Sequence, residues 1–374
     1  MKKYLLFPLS IIAVILTIIT CNSTEPDEKV EPETEVSEVV LFDKVLYYDG
    51  YAEIVNEPVP EGKIRLANSR YAAKVPDSFI TSINNKLEME IVVKAACDNY
   101  DRIGSVFLTL INKGESYDRS KIVSQIELAR FITPFMDKNK TPDEVPYKFN
   151  IDNIGSLFAD PDYNSKFDFW MELDIFGVPY AANEQISGCA GRNDVFYGTL
   201  TLLPGEKNND KPGQYLLPVA NYVTLNNYNH TDEIGKTIIS FTSEITSPVK
   251  NASIYLITSN HGANEGGEEY NRREHYLYLD NQLIEMYIPG GKSCEPFRGY
   301  NTQRNGIYGN GTRTDAEWSS FSNWCPGDVI PIRKYDIGTL SKGNHTFKFE
   351  VPDAQFVNQR GEIPLSIYIQ GEKE

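Results

Sequence analysis

The segment from Asn260 to His275 carries the densest set of side chains that could do chemistry. It combines carboxylates, arginines, glycines and two histidines, and its members include His261, Glu269 and Arg273. A loop that only solvates a surface rarely needs so many different groups, so this segment is a candidate site. A metal is one interpretation of the histidines. However, the chain has only 4 His and no HxH or HExxH spacing, so we expect no metal. A Gly-rich phosphate loop is also absent from the sequence, and we expect no other cofactor.

Two further segments place carboxylates beside groups that could tune them. Asp101 precedes Arg102, and a neighbouring guanidinium can keep a carboxylate ionised and oriented. Further along, strand alternation puts Glu172 and Asp174 on the same face as Trp170, where aromatic neighbours can raise a carboxyl pKa. For the Asp101 segment the alternative is a turn closed by a surface ion pair, and for the Glu172 segment it is the solvated face of a strand. Taken alone, the residues of each segment favour its alternative.

A third candidate feature joins two loops that each contain a cysteine. Cys294 follows a pair of glycines, and Cys325 follows Trp324 and precedes a Pro-Gly pair. A disulfide joining these loops beside an exposed tryptophan would give a rigid rim on which a sugar ring could stack. The alternative is a structural crosslink with no ligand.

The N-terminus predicts export. Two lysines precede an apolar run that ends at Cys21, in a loose bacterial lipobox. We therefore expect a lipoprotein signal peptide over residues 1–20 and a lipid on Cys21; an uncleaved anchor and plain secretion are the alternatives. Residues 21–37 form an acidic tether, which resembles the surface-export signals of bacterial lipoproteins or serves as a solvated spacer. This predicts attachment to the outer membrane, at the cell surface.

Charge and cysteine content narrow the class of protein. The formal net charge is −16, which disfavours nucleic acid as a partner because nucleic-acid binding relies on Lys and Arg. Without Cys21, four cysteines remain in an oxidising compartment: Cys97, Cys189, Cys294 and Cys325. Their number predicts two disulfides, and it allows three pairings.

The body of the chain must position these groups on strands. Short apolar runs broken by turn residues alternate in segments such as residues 166–172 and 346–351. No long segment keeps a helical period, so antiparallel sandwiches are expected and parallel βαβ units are not. A length of 374 residues suits two domains after a leader. A stretch rich in Pro, Gly and Asn after Leu203 marks their boundary, and we assign the domains to residues 38–215 and 216–374.

In this order, several motifs resemble the peptide-N-glycosidase F family, over essentially the whole body from about Glu38. The motifs are Leu41–Val45, Cys97–Arg102, Ala129–Phe135, Glu269–His275 and Asn323–Gly327. The resemblance implies an all-β fold of two antiparallel eight-stranded jelly-roll sandwiches packed side by side, with the active site at their interface. It also implies an amidohydrolase that cleaves the amide joining an N-linked glycan to asparagine and leaves aspartate in the peptide.

Positions matched to the family imply the roles of individual residues. The catalytic residues would be Asp101, Glu269 and Glu172. Substrate would be bound by Arg102, Tyr100, Tyr270, Arg273, His261, Trp324 and Asp174. Cys294 would pair with Cys325 as in the family, and Cys97, whose usual near partner is missing, would pair with Cys189.

Three positions depart from the family pattern. Asp174 and Tyr270 stand where the family has tryptophans, and Phe321 where it has an arginine, so the shell that contacts the sugar has changed.

We expect the protein to be a monomer and its partners to be N-linked glycopeptides. A lipid-anchored glycan-binding protein without turnover is the alternative. A copper monooxygenase of related shape would need clusters of His and Met that the chain lacks.

Overall fold

The computed structural model describes residues 37–83, 85–205, 213–226, 233–264, 266–303, 308–309, 311–356 and 361–374. The predicted signal peptide, Cys21 and nearly all of the predicted tether lie outside these residues. Within them, no helix is long and apolar enough to cross a membrane. Contacts group all of the described residues into one compact unit.

The first half of the body is built mainly from strands. They are β1 (Val39–Tyr48), β2 (Lys63–Ala67), β3 (Arg70–Lys74), β4 (Leu87–Ala95), β5 (Ile103–Asn112), β6 (Ile122–Ile132), β7 (Glu144–Asn150), β8 (Phe167–Ile175) and β9 (Asp194–Pro204). Short helices fill the connections: α1 (Asp77–Ser82), α2 (Asp152–Ala159), α3 (Pro161–Lys166), α4 (Tyr180–Gln185) and a 3₁₀ turn at Arg119–Lys121. One sheet has the order β1-β9-β4-β7, and the other has the order β6-β5-β8-β3-β2.

The second half repeats this construction. Its strands are β10 (Gln214–Thr224), β11 (Ile238–Ile245), β12 (Val249–Thr258), β13 (His275–Leu279), β14 (Gln282–Tyr287), β15 (Val329–Ile330), β16 (Arg333–Leu340), β17 (Gly343–Glu350) and β18 (Pro364–Lys373), with a helix α5 (Asp315–Ser319) and a 3₁₀ turn at Glu295–Tyr300. Its sheets have the orders β10-β18-β12-β16 and β11-β17-β13-β14. The chain crosses between the halves after β9, and the predicted boundary at 215/216 falls just inside β10.

Both halves have the strand order of a jelly roll. Counted along the chain without β2 and β15, each sandwich places its first, eighth, third and sixth strands in one sheet. The other sheet holds the second, seventh, fourth and fifth strands. Neighbouring strands are antiparallel, as in the pairing of β5 with β8. The predicted fold of two eight-stranded jelly rolls is confirmed. Strand β2 extends one sheet of the first sandwich, and β15 from the second half pairs with β6 at its other edge.

Strand alternation builds the two cores. In β8, Phe169, Met171 and Leu173 are buried in the first core, whereas Glu172 and Asp174 lie on the opposite face. In β17, Phe347 and Phe349 are buried in the second core. The apolar face of each strand thus packs inside its own sandwich, which leaves the other face available for the junction between the sandwiches.

A buried ion pair joins the two sandwiches. Arg130 and Glu127 on β6 are fully buried, and Arg130 Nη2 lies 2.7 Å from Glu127 Oε2. From the second sandwich, Arg130 donates to Ser259 Oγ and to the carbonyl of Pro364, each at 2.8 Å. The hydroxyl of Ser366 donates to Glu127. Hydrogen bonds to both charged groups offset the cost of removing them from water. The pair therefore fixes β6 against the second sandwich.

Two disulfides connect loops that lie far apart along the chain. Cys97 pairs with Cys189, with their Cα atoms 5.5 Å apart, and so ties the loop after β4 to the loop after α4. Cys294 pairs with Cys325, with a Cα separation of 5.4 Å. These are the pairings expected above. The first crosslink lies only one residue from Asp98, in the segment that leads to Asp101.

Candidate active site

A cavity of about 640 Å³ is lined by residues of both sandwiches. Seven of the predicted site residues line it: Tyr100, Asp101, Arg102, Asp174, His261, Glu269 and Trp324. The predicted residues Glu172, Tyr270 and Arg273 lie outside its lining. Another cavity, of about 520 Å³, also has walls from both sandwiches, but it contains none of the predicted site residues.

Asp101 and Glu269 are the two carboxylates that the fold brings together from different sandwiches. Asp101 lies just before β5, and Glu269 lies in the loop between β12 and β13. Burial raises the pKa of Asp101 to about 8, and the negative charge of Glu269 contributes to this rise. Burial also raises the pKa of Glu269. The Arg102 guanidinium opposes this rise in the pKa of Asp101, but burial and Glu269 outweigh it.

Arg102 instead forms its ion pair with Asp98. Arg102 Nε lies 2.7 Å from Asp98 Oδ2, and Nη2 lies 3.4 Å from Oδ1. Asp98 is buried and also accepts the backbone N–H groups of Tyr100 and Val178, at 2.9 and 2.7 Å. The backbone N–H of Arg102 donates to Thr133 Oγ1 at 2.7 Å. Asp98 is therefore the residue that holds the 98–102 turn and aims Arg102 along the cavity wall.

The loop that carries Glu269 is fixed by close backbone contacts. Asn323 Nδ2 donates to the carbonyls of Glu268 and Glu269, each at 2.8 Å. Gly262 N–H lies 3.4 Å from Glu269 Oε2, and the carbonyl of Gly262 accepts Glu269 N–H at 3.3 Å. A Cβ at Gly267 would lie 1.9 Å from the Gly262 carbonyl oxygen, so only glycine allows this turn. The Asn323 segment therefore positions Glu269 from a distant part of the sequence.

Tyr270 and Arg273 lie beside the site rather than in the cavity wall. The phenol of Tyr270 donates to Glu269, which favours the ionised form of that carboxylate. The Tyr270 ring packs edge-on against Phe321, with the ring centres 5.6 Å apart. Arg273 is engaged by buried Glu268, with its Nη2 3.0 Å from Glu268 Oε1. Arg273 thus fixes the loop, and Tyr270 is the member of this pair that contacts Glu269, a carboxylate of the cavity wall.

Glu172 lies behind the cavity, where it holds Arg70. Its carboxylate accepts from Arg70 Nε at 2.7 Å, from Tyr117 at 2.7 Å and from Gln125 at 2.8 Å. Arg70 and Asp174 line the cavity in front of it, with Arg70 Nη1 3.9 Å from Asp174 Oδ2. Burial raises the pKa of Asp174 to about 6, against the lowering effect of Arg70. Glu172 therefore contacts the cavity only through Arg70, Gln125 and its other neighbours, and not directly.

His261 and Trp324 form a buried wall of the cavity. Trp324 is only 7% exposed, and its indole N–H donates to the carbonyl of Asn260 at 2.8 Å. The expected exposed tryptophan is therefore wrong, because the packing of the two sandwiches covers it. Burial, aided by Arg130, lowers the pKa of His261 to about 3, so its imidazole is neutral. Its Nε2 lies 2.6 Å from Ser259 Oγ.

Three cavity or support residues carry no local sequence signal. Asp98 sits in the same motif as Asp101, but nothing in the motif shows which of the two pairs with Arg102. Arg70 and Tyr51 reach the cavity from loops or strands far from either acidic motif. The placement of Arg70 depends on strand register, through the pairing of β3 with β8, and that of Tyr51 on the loop that follows β1. In the part of the chain that the structure describes, no group of three or more His, Cys, Asp or Glu residues could hold a metal ion.

The fold and the site together define a protein of two jelly rolls with an acidic cavity at their junction. The chain belongs to the peptide-N-glycosidase F family. The family model described as the N-terminal part of peptide-N-glycosidase F matches residues 38–189, and the model of its C-terminal part matches residues 227–370. Comparison with curated protein sequences finds no significant match.

Solved structures share this fold at low sequence identity. PNGF-II is 19% identical with a TM-score of 0.64; the match covers 90% of this chain but only 66% of PNGF-II. Recombinant peptide:N-glycanase F is 15% identical with a TM-score of 0.54, and the match covers 90% of this chain and 95% of that one. PNGase F, described as a glycosylasparaginase from Flavobacterium meningosepticum, is 17% identical with a TM-score of 0.54, covering 90% and 96%.

Proposed function

We propose that the protein is a glycoamidase that hydrolyses the amide bond between an N-linked glycan and its asparagine. The observation that carries this proposal is the convergence of Asp101 and Glu269, from different sandwiches, on one cavity. Membership of the peptide-N-glycosidase F family supports the same reaction class. A cavity of about 640 Å³ is of the size that holds a small oligosaccharide segment.

The two carboxyl groups suit the two proton tasks of amide hydrolysis. With a pKa of about 8, Asp101 is protonated at neutral pH and can donate its proton to the leaving nitrogen. Glu269, which accepts from Tyr270 and Gly262, can hold and activate a water. The water oxygen then bonds to the asparagine side-chain carbonyl carbon and the C–N bond breaks. The peptide keeps an aspartate, and the glycan leaves as a glycosylamine.

Arg102 supplies a fixed positive charge to the same cavity. Asp98 Oδ2 lies 2.7 Å from Arg102 Nε and holds the guanidinium in place. The guanidinium therefore needs to move little when negative charge develops on the carbonyl oxygen of the substrate. Its charge also opposes the rise in the pKa of Asp101. The proposal therefore assigns orientation and charge stabilisation to Arg102, and proton transfer to the two carboxyl groups.

Mass spectrometry of a denatured glycopeptide tests the activity. Wild-type protein should release the glycan and leave Asp at the attachment site, and Asp101→Asn should lower the rate by roughly 10²- to 10⁴-fold. Asp43→Asn, which changes an exposed aspartate outside the cavity, serves as the matched control. Full activity of Asp101→Asn would refute the assignment. Glycopeptide retained by wild-type protein without release would instead support the non-catalytic glycan-binding protein.

We further propose that the protein is exported as a monomer and anchored in the outer membrane through a lipid on Cys21. Export and the lipid anchor are inferred from the N-terminal sequence, which precedes the described residues. Metabolic labelling with a fatty acid should label wild-type protein, and Cys21→Ser should abolish the label and move the protein to the soluble fraction. Labelling that survives in Cys21→Ser would contradict the anchor, and protease shaving of intact cells tests surface display.

A further inference from the structure

Tyr51 presents an open aromatic ring at the cavity. It lines the cavity, yet its residue surface is 73% exposed, the largest exposure among the large apolar and aromatic side chains of the described residues. Its ring packs edge-on against Phe176, another lining residue, with the ring centres 5.1 Å apart. Scattered exposed aromatics are common on proteins, so exposure alone carries no argument. The position at the cavity and the support beneath the ring distinguish this one.

The loop that carries Tyr51 is rigidly held. The buried side chain of Asn68 donates through Nδ2 to the carbonyls of Asp49 and Glu53, at 2.8 and 3.0 Å, and its Oδ1 accepts Val55 N–H at 3.0 Å. Tyr51 N–H donates to Asp49 Oδ1 at 3.0 Å. An aromatic ring on a loop fixed at both ends loses little conformational entropy when it binds a ligand.

Glycine at position 50 allows the close packing beneath the ring. A Cβ there would lie 2.5 Å from Phe176 Cε2, so any larger residue would force the loop and the Phe176 ring apart. Gly50 N–H also donates to the carbonyl of Gly177 at 2.9 Å. The loop is thus fastened to the segment that follows β8, which is the strand that carries Asp174 into the cavity.

The surrounding charges favour a neutral ligand. With Asp101 protonated at neutral pH, the cavity lining contains three other carboxylic residues, Asp174, Glu269 and Glu362, against two arginines, Arg70 and Arg102. Such a surface disfavours anionic ligands. Pyranose rings expose an apolar C–H face beside their hydroxyl groups, which suits an aromatic ring next to hydrogen-bonding side chains.

We propose that Tyr51, supported by Phe176, is a stacking platform for a neutral sugar ring of the glycan at the entrance of the cavity. This proposal rests on the proposed glycoamidase function and deepens it, because it assigns a sugar-binding role to a residue outside the acidic motifs. The platform contributes to binding and leaves proton transfer to the carboxyl groups.

Binding and turnover measured on the full chain test the platform. The probe is a free oligomannose N-glycan with a reducing chitobiose end, titrated by NMR. Tyr51→Ala should raise its Kd by about tenfold, while Tyr51→Phe, which keeps the ring, should bind like wild type. Ile54→Ala serves as the matched control, because Ile54 is exposed in the same loop but does not line the cavity. On a glycopeptide, Tyr51→Ala should raise KM with little change in kcat.

The outcomes separate this proposal from the proposed reaction. Equal glycan affinity of wild type and Tyr51→Ala, or absence of glycan binding by wild type, overturns the platform. If Tyr51→Ala binds the unglycosylated peptide more weakly than wild type does but binds the free glycan equally well, the sugar assignment is overturned. Glycan binding that depends on Tyr51, in a wild-type protein that hydrolyses no glycopeptide, supports the platform and rejects the amidase. A midpoint of thermal unfolding equal to that of wild type shows that a variant is folded.

Discussion

The negative charge of Glu269 raises the pKa of Asp101, although the two residues are 168 positions apart (269 − 101) and belong to different sandwiches. Burial at the junction places both groups in a low-dielectric environment, where like charges repel strongly. The pair therefore exists only when the two jelly rolls are packed together. Each carboxyl group is placed by its own turn, that of Asp101 through Asp98 and that of Glu269 through Asn323.

Glu269→Gln should lower the pKa of Asp101. The substitution removes the neighbouring negative charge that helps to raise this pKa to about 8, while burial of Asp101 remains. Carbon-13 NMR of the aspartate carboxyl groups as a function of pH would follow the change. Glu88→Gln, an exposed substitution on β4, should leave the titration of Asp101 unchanged. An unchanged pKa in Glu269→Gln would mean that the two carboxyl groups do not interact.

Asp101→Asn should stabilise the fold most at alkaline pH. The ordinary pKa of 3.8 applies to the unfolded chain and a pKa of about 8 to the native protein, so the native state binds the proton more tightly. Between these values, the free energy of unfolding contributed by this group falls as the pH rises. The advantage of Asp101→Asn in urea denaturation should therefore grow from pH 4 to pH 8. An advantage that shrinks over this range would contradict the raised pKa.

Glu172→Gln should act through Arg70 and not on the reacting amide. Losing the charge leaves Arg70 without its closest carboxylate, at 2.7 Å, so we expect a loss of about 2 kcal/mol in the free energy of unfolding. Steady-state kinetics on a glycopeptide should show a raised KM and a smaller fall in kcat than Asp101→Asn shows. A fall in kcat as large as that of Asp101→Asn, in a protein of wild-type stability, would return Glu172 to the catalytic residues.

Local sequence patterns predict the strands and mark the segment of Glu269 as a candidate site, because these features depend on short-range chemistry, whereas Asp101 is assigned only through the resemblance to the family. Alternation in β8 shows which face of the strand is buried. The motif that contains Asp101 and the motif that contains Glu269 are each one continuous stretch of sequence. Partner choice is different. Asp98 competes with Asp101 for Arg102, and the backbone turn decides that competition. Likewise, Trp324 is buried against Ile132 of the first sandwich and Ile257 of its own, contacts that no local pattern encodes.

The buried pair of Glu127 and Arg130 should set the strength of the junction between the sandwiches. Glu127→Gln leaves a fully buried guanidinium without its counter-charge, so we expect the free energy of unfolding to fall by about 3 kcal/mol. The double variant Glu127→Gln/Arg130→Met removes the unpaired charge and should recover part of that loss.

Urea denaturation of the single and double variants, with Glu88→Gln as the exposed control, measures both effects. Because Arg130 also donates to Ser259, which contacts the cavity residue His261, the double variant should lose glycopeptide activity even where its stability recovers. A Glu127→Gln protein as stable as wild type would show that the junction does not depend on this pair. A double variant with full activity would show that the cavity keeps its shape without it.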